Sequence, residues 1–148
     1  MGLTEAMLKY QIHKLPKGGK EARSVLLEDI STSDVFGMPD IVPYCASRGG
    51  ITQLTKALAA EWAPLGITVN ALGPGWFRTA QNDVLFQNPE WVAHVTDKIP
   101  TGRTGLPNDM DGAVVFLASA ASAYVTGQLL FVDGGFTIGA MRALPPKR

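Results

Sequence analysis

The chain has 148 residues, enough for one domain with a hydrophobic core. Its 46% apolar content is that of a soluble globular protein. Thirteen basic residues balance thirteen acidic ones, which removes the electrostatic case for nucleic acid or an acidic membrane surface as a partner.

No apolar run approaches the roughly 18 residues of a membrane span, and Met1-Gly2-Leu3-Thr4-Glu5-Ala6 shows no signal-peptide core or myristoylation pattern. Cys45 is the only cysteine, so no intrachain disulfide forms and a reducing, cytoplasmic setting is expected. His13 and His94 have no ligand-like spacing to each other or to Cys45, and no metal site is expected.

In chain order, Thr4 to Leu15 has a helical stripe of Leu3, Met7, Leu8, Ile12 and Leu15, which Pro16-Lys17-Gly18-Gly19-Lys20 breaks. Residues 1–20 therefore read as a poorly defined segment, 21–140 as the folded domain and 141–148 as a loose tail. Ser24 to Ile30 reads as a strand around Val25-Leu26-Leu27, followed by the polar loop Ser31-Thr32-Ser33-Asp34. A helix is expected over 44–63, where Ile51, Leu54, Leu58 and Trp62 recur at helical spacing and Pro64 and Gly66 end it. Gly49-Gly50 would weaken that helix in isolation and fit a close approach to a neighbour. Strands are expected over 67–72 and 128–132, and a helix over 108–118 with acids in its first turn. Strand, helix and strand in this order imply a parallel crossover unit. The aromatic-rich stretch from Trp76 to Lys98 reads either as a satellite helix pair or as a lid over a cleft.

Tyr44 and Arg48 lie one helical turn apart on one face. A cation so placed stabilises a phenolate, which suits a tyrosine that takes or gives a proton. The plain alternative is an aromatic and a surface charge that share a face by accident.

Three motifs decide between these. Tyr44-Cys45-Ala46-Ser47-Arg48-Gly49-Gly50 resembles the Tyr-x-x-x-Lys signature of the short-chain dehydrogenase/reductase family. Val69-Asn70-Ala71-Leu72-Gly73-Pro74-Gly75 resembles that family's Asn-x-x-x-Pro-Gly strand end, and Gly127 to Gly135 its last strand and closing turn. The resemblance covers Val25 to Ile138. It is nearest to gluconate and deoxygluconate dehydrogenases, by Tyr44-Cys45-Ala46-Ser47, Ala59-Ala60-Glu61-Trp62-Ala63-Pro64 and Ile99-Pro100-Thr101-Gly102-Arg103.

The resemblance implies the carboxyl-terminal half of a Rossmann-like, doubly wound parallel sheet that binds NAD or NADP at its strand ends. It implies hydride transfer on a secondary alcohol or ketone of a sugar acid or polyol. Tyr44 would be the acid or base, and Ser31, thirteen residues before it, would hold the substrate oxygen. Arg48 stands where the family has its lysine. It keeps the charge, but its guanidinium is planar and effectively never deprotonated, so it cannot relay a proton as an ammonium can. Tyr44, Arg48, Pro74, Gly75, the Phe77 main chain and Thr79 would contact the cofactor.

The family's glycine-rich turn, its selector residue after the second strand and its Asn-Asn-Ala-Gly strand are absent from the sequence, so dinucleotide binding is expected to be weak. The helix from Cys45 to Trp62 corresponds to one the family uses to form dimers, and homo-oligomers or association with a full-length homologue are expected. Three readings follow: an oxidoreductase, a non-catalytic remnant that associates with a homologue, or an incomplete product without a stable fold.

Overall fold

The computed structural model describes residues 13–14, 23–28, 37 and 39–139. Their strands form one sheet in the order β1 (His13–Lys14), β2 (Arg23–Glu28), β3 (Ile67–Pro74) and β4 (Leu129–Val132). β2, β3 and β4 are parallel, Arg23 in register with Ile67 and Ala71 with Leu129. β1 is antiparallel to β2, His13 opposite Ser24.

The expected parallel α/β fold is present, with one addition. His13 and Lys14 belong to a strand rather than to the helix expected through Leu15, because their backbone pairs with β2. The rest of the 1–20 segment, and Ser31, lie outside the described residues.

β3 is the centre of the sheet. Residues 69–73 are buried in succession, as befits a strand with parallel neighbours on both sides and helical cover. It runs two residues beyond the expected 67–72, because Gly73 and Pro74 still register with Phe131 and Val132. β2 spans Arg23–Glu28, starting one residue before the expected 24–30; residues 29 and 30 lie outside the described residues. Asn70 is buried and stitches β3 to the approach to β4. Its Nδ2 donates to the Val125 carbonyl at 2.9 Å, and its Oδ1 accepts from the Gln128 N–H at 3.0 Å. Both halves of the amide are satisfied, so the burial costs little.

The crossover helix α1 (Val42–Trp62) begins two residues before the expected start, with Pro43 in the first turn, where its missing N–H is not needed. The short 3₁₀ turn Ala63–Leu65 and left-handed Gly66 (φ 73°) end it. Its fully buried side chains are Thr55 and Ala59, not the stripe of larger apolar residues; Leu54 is 44% exposed. Small residues let the helix come close: a Cβ at Gly127 would lie 3.4 Å from that of Ala59. Gly49 and Gly50 make no such approach to a described residue: a Cβ at either would meet no described atom within 4 Å.

The Trp76–Lys98 stretch does form a helix pair, α2 (Asp83–Phe86) and α3 (Pro89–Lys98). Asn88 caps α3 by accepting from the Glu90 and Trp91 N–H groups, with Pro89 in its first turn. The rings of Phe86 and Trp91 meet at 5.3 Å and fix the pair together. The last helix, α4 (Asp111–Leu117), is shorter than the expected 108–118 because Pro107–Met110 forms a 3₁₀ turn ahead of it. Among the described residues, Ala59, Val69, Ala71, Leu72, Val95, Ile99 and Leu117 are the buried apolar side chains.

Candidate active site

Because β2, β3 and β4 are parallel, their carboxyl ends at Glu28, Pro74 and Val132 share one edge of the sheet. A helix that crosses between parallel strands runs back against them, so the first turn of α1 belongs to that same edge.

Tyr44 and Arg48 occupy that first turn, and both are half-buried. The Arg48 guanidinium carbon lies over the Tyr44 ring, 4.6 Å from its centroid, within cation–π range. The expected one-face pairing is realised, with the cation on the ring face. Ser47 donates from its hydroxyl to the Tyr44 carbonyl at 2.8 Å, so this serine is occupied by the backbone. Asp40, just before the helix, holds a left-handed φ of 65°, which a short polar side chain tolerates and which turns the chain into α1.

The Pro74–Thr79 segment leaves the end of β3. Gly75 donates to the Val132 carbonyl at 3.0 Å, and a Cβ there would lie 2.6 Å from the Asp133 Cα. The glycine is required by the neighbouring main chain itself. Phe77 bridges to Gly105, whose missing side chain leaves room for the Phe77 ring; a Cβ on Gly105 would sit 2.5 Å from Cζ. The Phe77 N–H donates to the Gly75 carbonyl at 3.1 Å, and its own carbonyl accepts from Asn82 Nδ2 at 2.8 Å. Thr79 is held through its main chain: its N–H donates to Asn82 Oδ1 at 2.7 Å, and its carbonyl accepts from the Asn82 N–H at 3.2 Å.

Beside this segment is a cleft of about 220 Å³, lined by Trp76, Phe77, Thr101, Arg103, Asp109 and Asp133 among others. Arg103 grips Asp109 with both terminal nitrogens, at 2.5 and 3.1 Å. That pair, with the Leu106 N–H, lowers the Asp109 carboxyl to about 2. Asp133 accepts from the Gly135 and Thr137 N–H groups at 2.8 and 2.7 Å, which fixes the closing turn. Trp76 packs edge-to-face on Trp91 at 5.1 Å and on Phe136 at 6.3 Å. Its buried Nε1 has no hydrogen-bond partner among the described residues.

The sequence pointed to Tyr44, Arg48, Pro74, Gly75, Phe77 and Thr79, which the structure places at this edge, and to Ser31, which lies outside the described residues. Sequence reasoning missed Asn82 and the Arg103–Asp109 pair. Only the Thr79-x-x-Asn82 spacing hinted at the first, and nothing local announced the second. Among the described residues no group of three or more His, Cys, Asp or Glu side chains gathers to hold a metal. The residues fit one end of a dinucleotide. The Thr79 hydroxyl and Trp76 Nε1 are polar groups without a partner among the described residues, beside the strand end. No glycine-rich strand-to-helix turn for a pyrophosphate occurs among the described residues.

A family model described as enoyl-(acyl carrier protein) reductase matches residues 4–137. A gluconate 5-dehydrogenase of Gluconobacter oxydans is 36% identical over 126 residues, 85% of this chain and 48% of that protein. A 3-oxoacyl-[acyl-carrier-protein] reductase of Rickettsia bellii is 48% identical over 101 residues, 68% of this chain and 41% of that protein. Among solved structures, a gluconate 5-dehydrogenase from Burkholderia cenocepacia in complex with NADP and tartrate aligns with a TM-score of 0.76 and 39% identity, over 79% of this chain and 46% of that one. The chain thus spans just under half the length of these relatives.

Proposed function

The chain belongs to the short-chain dehydrogenase/reductase family, and from that premise we propose that it carries the proton-transfer and nicotinamide-facing part of an NAD(P)-dependent oxidoreductase acting on a sugar acid or polyol. The observation that carries this reading is the Tyr44–Arg48 pair, a phenol with a cation 4.6 Å from its ring centre, on the edge where β3 ends in Pro74-Gly75. Tyr44 gives or takes the proton at the substrate oxygen, and Ser31 holds that oxygen by a hydrogen bond. Arg48 holds the Tyr44 ring by its face and keeps a positive charge beside it. As a guanidinium it cannot pass that proton onward. Pro74, Gly75 and Phe77 supply the wall for the nicotinamide end, and Thr79 offers its hydroxyl to the carboxamide. The nicotinamide, when bound, supplies or accepts the hydride.

The sugar-acid class follows the gluconate-type relatives; the acyl reductase relative marks the competing class. Gluconate oxidation with NADP, set against reduction of a 3-oxoacyl thioester with NADPH, separates the two. Tyr44→Phe abolishes whichever turnover is found, and Arg48→Lys raises it. Turnover that survives in Tyr44→Phe contradicts the assignment.

A second reading is favoured by exposed apolar side chains: Tyr124 is fully exposed, and Val42 and Val115 are 71% and 66% exposed. On this reading the chain is an association module, joining copies of itself or a full-length homologue. Light scattering at tens of micromolar tests it, and a clean monomer that fails to co-elute with such a homologue contradicts it.

A further inference from the structure

We infer that Asn82 is a positioning residue for the cofactor-facing segment, setting where the Thr79 hydroxyl points. This rests on the reading of Thr79 as a nicotinamide contact. Three bonds join Asn82 to the segment. Its Oδ1 accepts from the Thr79 N–H at 2.7 Å, its Nδ2 donates to the Phe77 carbonyl at 2.8 Å, and its own N–H donates to the Thr79 carbonyl at 3.2 Å. Both main-chain polar groups of Thr79 are therefore consumed by one residue, and the hydroxyl is the polar group left for a ligand.

The side chain needed is specific. A single planar group must donate to one carbonyl and accept from an N–H two residues further on, which an amide can do. A carboxylate offers only acceptors and a hydroxyl is too short to span both. The two side-chain bonds are part-buried, where a lost bond is felt more than at the surface. The same turn carries an exposed tie from Arg78 Nε to Asp83 Oδ1 at 2.6 Å, and this provides an internal control.

The test uses the whole chain and the reduced nicotinamide mononucleotide, the part of the dinucleotide that would reach Thr79. Its affinity is titrated in the parent, Asn82→Ala, Asn82→Asp, Asp83→Ala, Thr79→Val and the Asn82→Ala/Thr79→Val double variant, each checked by a cooperative melt. Asn82→Ala is expected to weaken binding about tenfold and Asn82→Asp about threefold, since Asp keeps the acceptor for the Thr79 N–H. Asp83→Ala should stay within about twofold of the parent. In the Thr79→Val background Asn82→Ala should cost under about twofold, because the group it positions is gone. A purely structural role would cost the same in both backgrounds, and that result overturns the inference. So does an Asn82→Ala variant that binds as the parent does. A parent chain that binds no nicotinamide mononucleotide, with its melt intact, overturns the nicotinamide reading and this inference with it.

Discussion

The Pro74–Thr79 segment and the first turn of α1 carry the two halves of the proposed chemistry, yet they are held in different ways. The segment is tied into its surroundings at nearly every residue: Gly75 to Val132, Trp76 to Gly105, Phe77 and Thr79 to Asn82. Its neighbours are tied in turn by Asp133 to the closing turn and by Arg103 to Asp109. Among the described residues, the first turn of α1 has no side-chain cap, the Arg48 guanidinium lies on the Tyr44 ring, and Ser47 bonds the Tyr44 carbonyl. The segment proposed to face the nicotinamide is thus anchored both locally, by Asn82, and by distant parts of the chain, Val132 and Gly105. The ring proposed for proton transfer carries the Arg48 guanidinium on its face. Damage to the first should appear as lost stability, and damage to the second as lost chemistry with the fold intact.

The largest effect should come from Gly75→Ala. Its Cβ would enter the Asp133 main chain and side chain at 2.6 and 2.7 Å, a contact that backbone on both sides cannot relieve cheaply. A loss of about 3 kcal/mol is expected, seen as a melting midpoint lower by roughly 10 °C. Asn70→Ala should follow. It strands the buried Val125 carbonyl and Gln128 N–H and should cost about 2 kcal/mol by denaturant titration.

The Arg103–Asp109 pair predicts a pH dependence. The Asp109 carboxyl lies near 2 in the folded chain against 3.8 as its ordinary value. The folded state therefore binds that proton less readily than the unfolded one. The pair's contribution is complete above about 3.8 and is lost as pH falls from there toward about 2. Melting midpoints across that window should fall less steeply in Asp109→Asn than in the parent. Equal slopes would show that the pair does not stabilise the fold.

The smallest structural effect should be that of Arg48→Ala, where a half-buried cation–π contact worth about 1 kcal/mol is lost. Its melt should shift by only a few degrees, while the mobility of the Tyr44 ring, read by NMR line shape, should rise clearly. A destabilisation as large as that of Gly75→Ala would erase the contrast between the two regions.

The parallel strands and the crossover helix were legible because Val69 to Gly73 is a continuous buried run and the Tyr44, Asn70 and Gly134 motifs sit at fixed distances from it. The antiparallel His13–Lys14 strand was not. Two residues carry no periodicity, and only the partner Arg23–Ser24 makes them a strand. The helical stripe of α1 misled because the sheet takes its small residues, Thr55 and Ala59, where helix and strand approach closely. Tyr44 and Thr79 could be placed by motif, whereas Arg103–Asp109 is made by a loop whose geometry no local pattern encodes.

On the proposed reading, the described residues hold the nicotinamide end of a dinucleotide and little else of it. Parallel calorimetric titrations of the whole chain with NADPH and with reduced nicotinamide mononucleotide test this directly. Weak binding of both is expected, with affinities within about threefold of each other, since no glycine-rich turn among the described residues is there to hold the rest of the dinucleotide. Micromolar binding of NADPH, with the mononucleotide about a hundredfold weaker, would contradict it.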